Sequence, residues 1–223
     1  MSDIDTPAAR RLADIKARIA HAASLAGRKA GEIELIAISK TYESAEIAPL
    51  IVAGQASFGE NRVQEAEGKW PGLRGDTAVK LHLVGQLQSN KAKEAVSLFD
   101  AIHSVDRPSL IDALAKAMDA AGKRPDCFIQ VNIGEEDQKG GCPIADLSTI
   151  LKQARDAGLP VAGLMAVPPL DVEPAPYFAL LAKLARRHAL TGLSMGMSAD
   201  FETAVMLGAT HVRIGTALFG ARE

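Results

Sequence analysis

Apolar positions along this chain follow two periods. Leu12, Ile15, Ile19, Ala22 and Leu25 recur every three or four residues, with Arg10, Arg11, Lys16 and Arg18 on the other faces. That spacing predicts an amphipathic helix over residues 3–26, with Gly27 and Gly31 bracketing its end. From residue 34 the pattern changes to short apolar runs separated by helical stretches. The runs at 35–40, 56–59, 81–85, 101–105, 127–133, 161–167, 193–196 and 211–215 predict strands. The stretches at 45–52, 62–70, 90–99, 108–121, 144–157, 175–188 and 199–207 predict helices, with a last helical turn at 217–219. Gly54, Pro71-Gly72, Gly122, Gly158 and Gly208 supply the stops, and Pro108 and Pro174 stand at helix entries.

Strands this short and apolar suit a parallel sheet covered on both faces. About eight βα units in 223 residues predict an α/β fold: a single (β/α)8 TIM-type barrel spanning residues 1–223, with an extra N-terminal helix that could close one end. A doubly wound open sheet is the alternative, but it usually has fewer strands.

Composition agrees with a folded domain, since 48% of residues are hydrophobic and 23% charged. A net charge of -2 gives no basic surface for nucleic acid or anionic membranes. Met1-Ser2-Asp3-Ile4-Asp5 has no apolar signal core, and no stretch is long enough to span a bilayer, so a cytoplasmic location is expected. Cys127 and Cys142 fit no disulfide framework and no zinc spacing, so they are expected to be free and buried.

In a barrel, chemistry collects just after the strands. Lys40 ends the first predicted strand, where an apolar mouth would strip part of its solvation and leave its amine free to attack a carbonyl. Gly59-Glu60-Asn61-Arg62 follows the second strand, and Gly85 through Lys91 the third. Glu60, Asp106 and Asp200 form no convergent pair of the glycosidase kind, and neither G-x-S-x-G nor H-E-x-x-H is present.

The strongest signal lies after strands 7 and 8. Gly196-Met197-Ser198-Ala199-Asp200 and Gly215-Thr216-Ala217 each join a glycine, a hydroxyl and a helix start, at the positions where barrels frequently hold phosphate. Arg213, between Val212 and Ile214, needs a partner whichever way it points. His82 and His211 read as hydrogen-bonded strand histidines, and Trp70 and Phe99 as packing residues. A reactive lysine, a phosphate cup and a buried arginine imply a ligand with both an aldehyde and a phosphate. Pyridoxal 5′-phosphate meets all three features, whereas a sugar phosphate leaves Arg213 unexplained.

These residues resemble the YggS/PROSC family of pyridoxal phosphate homeostasis proteins. The resemblance runs through Ala37-Ile38-Ser39-Lys40-Thr41, Phe58-Gly59-Glu60-Asn61 with Val63-Gln64-Glu65, and His82-Leu83-Val84-Gly85 with Leu87-Gln88-Ser89-Asn90-Lys91. It continues in Gly163-Leu164-Met165-Ala166, Leu193-Ser194-Met195-Gly196-Met197-Ser198-Ala199-Asp200, and Val212 through Gly220. It implies a barrel like the N-terminal domain of alanine racemase, with pyridoxal phosphate as a Schiff base on Lys40. It further implies phosphate contacts at Ser198, Gly215 and Thr216, with Met195 and Gly196 lining the site. Arg213 would face the pyridine nitrogen and keep it unprotonated, and Asn61 would stand near the ring. The loop 135–142 has no assigned role.

Three functions stay open at this point. A carrier would hold or deliver the cofactor to apoenzymes without turnover, working as a monomer. An amino-acid racemase would need a second acid–base group. Tyr42, two residues from Lys40, is the nearby candidate, since strand alternation sends both side chains the same way. A Schiff-base aldolase on a sugar phosphate is the third.

Overall fold

Each strand of this chain is short and mostly buried, so its backbone needs a partner on both edges. Closure supplies one. In a computed structural model describing residues 6–75 and 77–220, eight parallel strands pair in chain order and the last returns to the first. They are β1 (Glu34–Ile38), β2 (Ser57–Glu60), β3 (Lys80–Leu83), β4 (Ala101–Val105), β5 (Asp126–Gln130), β6 (Val161–Met165), β7 (Gly192–Met197) and β8 (His211–Ile214). The closing register sets Ile36 against Arg213 and Ala37 against Ile214.

A helix follows every strand: α2 (Ser44–Val52), α3 (Val63–Arg74), α4 (Ala92–Leu98), α5 (Pro108–Ala121), α6 (Leu147–Asp156), α7 (Ala175–Arg187), α8 (Phe201–Met206) and α9 (Thr216–Phe219). The predicted (β/α)8 barrel is thus the observed fold.

The extra helix, α1 (Pro7–Leu25), opens at a Thr6 cap whose hydroxyl accepts from the Ala9 N–H at 3.1 Å. Residues 3–5 of the predicted helix lie outside the described residues. Ala8, Leu12, Ile15, Ile19, Ala22 and Ala23 form its buried stripe, whereas Leu25 is 67% exposed. Its principal packing is against α8, α9 and α2, so it thickens the helical ring instead of closing an end. Arg11 Nε donates to the Leu218 carbonyl at 2.6 Å, and Arg18 pairs with Glu202 at 3.1 Å.

Two boundaries differ from expectation for visible reasons. Helix α3 runs through Pro71-Gly72 to Arg74. Pro71 and Glu67 are both exposed, so the carbonyl that proline leaves unpaired is open to water. The fifth strand ends at Gln130, not 133, because Val131 bridges Cys142 and the chain folds back in a loop.

The main apolar core lies between sheet and helices, where Phe58 meets Trp70 at 5.1 Å and Phe99, Phe178 and Phe201 are fully buried. Each such side chain contributes roughly 1.5–3 kcal/mol by leaving water. Inside the barrel the character changes. Glu34, His82, His103, Ser194, His211 and Arg213 meet there, among Ile36, Phe128 and Met165.

Both cysteines are free and buried in the sheet and its return loop. Burial pushes each thiol up to about 12. Neither should react with a disulfide reagent at neutral pH until denaturant unfolds the chain, when both should titrate. Modification of the native protein at the rate of a free thiol would contradict this packing.

Candidate cofactor site

The carboxyl ends of the strands surround a cleft of about 280 Å³, lined by Ile38, Lys40, Asn61, Val84, Val167, Met197, Ser198, Arg213, Gly215 and Thr216. That volume is near the lower end for small-molecule sites, roughly 300–1,000 Å³. Six of the eight expected site residues meet here: Lys40, Asn61, Ser198, Arg213, Gly215 and Thr216. Met195 and Gly196 do not line the cleft. Met195 is fully buried, and Gly196 adopts φ +93° where an added Cβ would sit 2.5 Å from Ala204 Cβ. Gly196 therefore lets α8 close onto the end of β7, which fixes the direction in which Ser198 emerges.

Lys40 leaves the sheet two residues after β1 and is exposed at the rim. An apolar mouth does not desolvate it, contrary to expectation. The cause is a turn in which Thr41 takes φ 64°, rare for a β-branched residue. The same turn ends the strand alternation. Tyr42 swings away, stacks on Phe219 at 4.2 Å and does not line the cleft.

A buried ionic cluster beneath the turn accounts for its strained backbone. Lys69 of α3 donates to the carbonyls of Ser39 at 2.8 Å and Tyr42 at 3.1 Å, spanning Lys40 and Thr41. The same ammonium pairs with Glu60 and Glu65, each at 2.9 Å. Glu65 also accepts the Thr41 N–H, and Glu60 accepts from Ser39 Oγ at 2.7 Å and Trp70 Nε1 at 2.9 Å. Both edges of the lysine-bearing turn are thereby fastened to α3.

Arg213 points into the barrel and is 5% exposed. Nη1 donates to Ser194 Oγ at 2.7 Å and Nη2 to the Ala166 carbonyl at 3.0 Å. Among the described residues no carboxylate pairs with it and no acceptor meets its Nε–H. Burial lowers its pKa to about 10, partly offset by Asp200.

At the next junction, the Gly215 N–H donates to Ser198 Oγ at 3.4 Å, and Met197 N donates to Asp200 Oδ1 at 2.6 Å. The backbone N–H groups of Ser198 and Thr216 have no protein acceptor among the described residues. Asn61 is set by the neighbouring turn. Any side chain at Gly85 would come within 2.2 Å of the Asn61 carbonyl, so glycine permits that approach.

The site thus offers one primary amine, two hydroxyls beside unpaired N–H groups, and a guanidinium with an unspent donor. This donor set fits a small aldehyde phosphate with a ring nitrogen, and contains no cluster suited to a metal among the described residues.

Asn132 closes its own loop, exchanging hydrogen bonds with Glu136, and Lys139 donates to the Pro168 carbonyl at 3.0 Å. The loop 135–142 so walls a second cavity of about 230 Å³, which shares Val84 and Val167 with the first.

His82 and His211 are hydrogen-bonded strand histidines as read, both facing Glu34. Sequence reasoning missed Lys69, Glu65, His103 and Glu34. The pair Glu65 and Lys69, four apart on one helix, was the available signal for the first two.

Comparison with known proteins follows this geometry. The alanine racemase N-terminal domain family matches residues 11–223. The pyridoxal phosphate homeostasis protein of Pseudomonas aeruginosa is 39% identical, covering 96% of this chain and 96% of its own length. Its Escherichia coli counterpart is 38% identical over all of this chain and 98% of its own. The structure of PipY from Synechococcus elongatus with pyridoxal phosphate bound superposes with a TM-score of 0.79 at 40% identity, covering 91% of this chain and all of that one. The chain belongs to the pyridoxal phosphate homeostasis protein family, which is built on the alanine racemase N-terminal domain.

Substituting Lys69→Met strands the Glu60 carboxylate, which is fully buried. Chemical denaturation should show a loss of about 3–5 kcal/mol, the range for breaking one side of a buried ion pair. A loss below about 1 kcal/mol, the worth of an exposed pair, would contradict the clamp.

Proposed function

We propose that the chain binds pyridoxal 5′-phosphate and serves its homeostasis, holding the cofactor on Lys40 and passing it to apoenzymes that need it. The observation that carries this reading is the convergence of Lys40, Ser198, Arg213, Gly215 and Thr216 on one cleft. Bound pyridoxal phosphate supplies an aldehyde that condenses with a primary amine. Lys40 offers that amine from an accessible rim, where a cofactor can be loaded and released. Ser198 and Thr216 offer hydroxyls and unpaired backbone N–H groups to the phosphate, with Gly215 beside them.

Arg213 is assigned to the pyridine nitrogen and Asn61 to the ring edge. A guanidinium is a donor only, so it hydrogen-bonds an unprotonated nitrogen and opposes its protonation. That makes the ring a weaker electron sink. The position of Tyr42 on Phe219, away from the cleft, supports a carrier over a racemase. Met195 and Gly196 support the strand from which Ser198 departs.

On this reading residues 1–223 form one domain working as a cytoplasmic monomer, a setting that suits two unpaired cysteines. No helix among the described residues is long and apolar enough to cross a membrane.

Purified protein loaded with pyridoxal phosphate should show a visible absorption band. Borohydride should fix a pyridoxyl group on the peptide carrying Lys40. Lys40→Ala should lose both signals, whereas Ser198→Ala with Thr216→Val should release cofactor faster while keeping the band. A band that survives Lys40→Ala overturns the assignment of the amine. Incubation of the loaded protein with alanine in deuterated water should exchange the α-proton no faster than free cofactor does. Exchange at enzyme-like rates overturns the carrier reading.

A further inference from the structure

Barrel interiors are ordinarily filled by branched aliphatic side chains. Here five strands contribute polar groups instead, although burying them costs free energy unless each finds a partner. Their partners form a single line. Arg213 Nη1 is 2.7 Å from Ser194 Oγ, which is 2.8 Å from His103 Nδ1. His103 Nε2 is 3.0 Å from His82 Nδ1, and His82 Nε2 lies 3.2 Å from Glu34 Oε1. That last contact has an ion-pair distance without hydrogen-bond geometry, so His82 Nε2 is buried with no hydrogen-bond partner, and Glu34 is the acceptor it faces. Glu34 also receives Ser57 Oγ–H at 2.5 Å and faces His211 Nε2 at 3.3 Å.

For neutral imidazoles the two ends set the direction of the whole line. A guanidinium can only donate and a carboxylate can only accept. Arg213 donates to Ser194, so the serine hydroxyl is free to give its proton to His103 Nδ1. His103 then carries its proton on Nε2 and donates to His82 Nδ1. His82 carries its proton on Nε2, facing Glu34. Each imidazole then has one permitted tautomer. The His103 ring is held flat against Phe128, with centroids 4.3 Å apart and planes 13° apart, which fixes where its nitrogens aim.

Other groups agree with this assignment. Burial holds His103 well below the ordinary histidine range. Glu34, whose carboxyl burial alone would raise, is kept well below the usual carboxylate range by the facing His211, His82 and Ser57 side chains.

Glu34 lies at the amino-terminal start of β1, at the edge of a separate cavity lined also by Lys16, Gln55 and Ser57. Arg213 lines the cofactor cleft at the other end. We propose that Glu34, His82, His103 and Ser194 form a one-way hydrogen-bond relay through the barrel interior that positions the Arg213 guanidinium in the cleft. The relay rests on the reading of the cleft as a pyridoxal phosphate site for its consequence, though not for its existence. These four are positioning residues. Ser194 and the Ala166 carbonyl hold two corners of the guanidinium, which leaves three of its five N–H donors, Nε–H among them, for the ring nitrogen.

Two measurements test it on the full chain. First, side-chain nitrogen chemical shifts of histidine in the cofactor-free protein report tautomers directly. His82 and His103 should both be neutral with the proton on Nε2. Glu34→Gln, whose amide can donate as well as accept, should let the His82 signals depart from that state. A wild-type His103 protonated on Nδ1, or carrying both protons, refutes the relay whatever the cleft binds.

Second, pyridoxal phosphate is titrated into the wild type, Ser194→Ala and Ser194→Thr. Removing an outer partner of a metal-ligating side chain typically costs about 10–100-fold in affinity, and the lower end of that range is taken for a guanidinium donor. Ser194→Ala should therefore weaken binding by about tenfold and shift the absorption maximum of the bound cofactor, and the hydroxyl of Ser194→Thr should restore both. Wild-type affinity and spectrum in Ser194→Ala overturn the relay and leave the cofactor reading standing. Absence of binding by the wild type overturns the cofactor reading instead, and the tautomer measurement still decides the relay.

Discussion

The parallel pairing of β8 with β1 is the constraint on which this molecule turns. It sets Ala37 against Ile214, so the chain that leaves β1 toward Lys40 runs beside the chain that leaves β8 toward Gly215 and Thr216. Residues at opposite ends of the sequence become walls of one cleft, and the adjacent β7 adds Ser198. Without that closure Lys40 and the turn bearing Gly215 and Thr216 would stand at the two edges of an open sheet. The closure is stabilised from outside as well, because α1 spans α8, α9 and α2 across the seam.

Closure also creates an enclosed interior, and this chain fills it with charge and imidazole. A buried guanidinium at one end and a partly exposed carboxylate at the other give the interior a polarity that an aliphatic core would lack. Buried ionic groups are weak sources of stability, and an apolar interior of equal volume would serve the fold as well or better. Their presence is more economically explained by the cleft, where one of them ends. The clamp around Lys69 follows the same logic on the other side of the site. It holds the turn bearing Lys40 in a backbone conformation that threonine seldom takes.

Most of the architecture was legible because short apolar runs and stretches of 3.6-residue period alternate without interruption from residue 34. The rule that barrels place chemistry after their strands gathered Lys40, Asn61, Ser198, Arg213, Gly215 and Thr216, which line one cleft. What escaped is instructive. Lys69 looks like any solvated helix lysine until the Ser39–Tyr42 turn is built over it. His82, His103 and Ser194 each look like isolated strand polars, and the line they form exists only once three separate strands are in register. The exposure of Lys40 and the departure of Tyr42 both follow from the φ of Thr41, which side-chain alternation does not encode. Pro71 failed as a stop because its lost hydrogen bond faces water.

The central claim is that amine, anion cup and guanidinium serve one ligand. A crystal structure of the full chain grown with pyridoxal phosphate tests it most directly. The account predicts electron density continuous with Lys40 Nζ, the phosphate against Ser198 and Thr216, and the ring nitrogen facing Arg213. Cofactor bound elsewhere, or a phosphate turned away from Ser198 and Thr216 while Lys40 stands free, would contradict it.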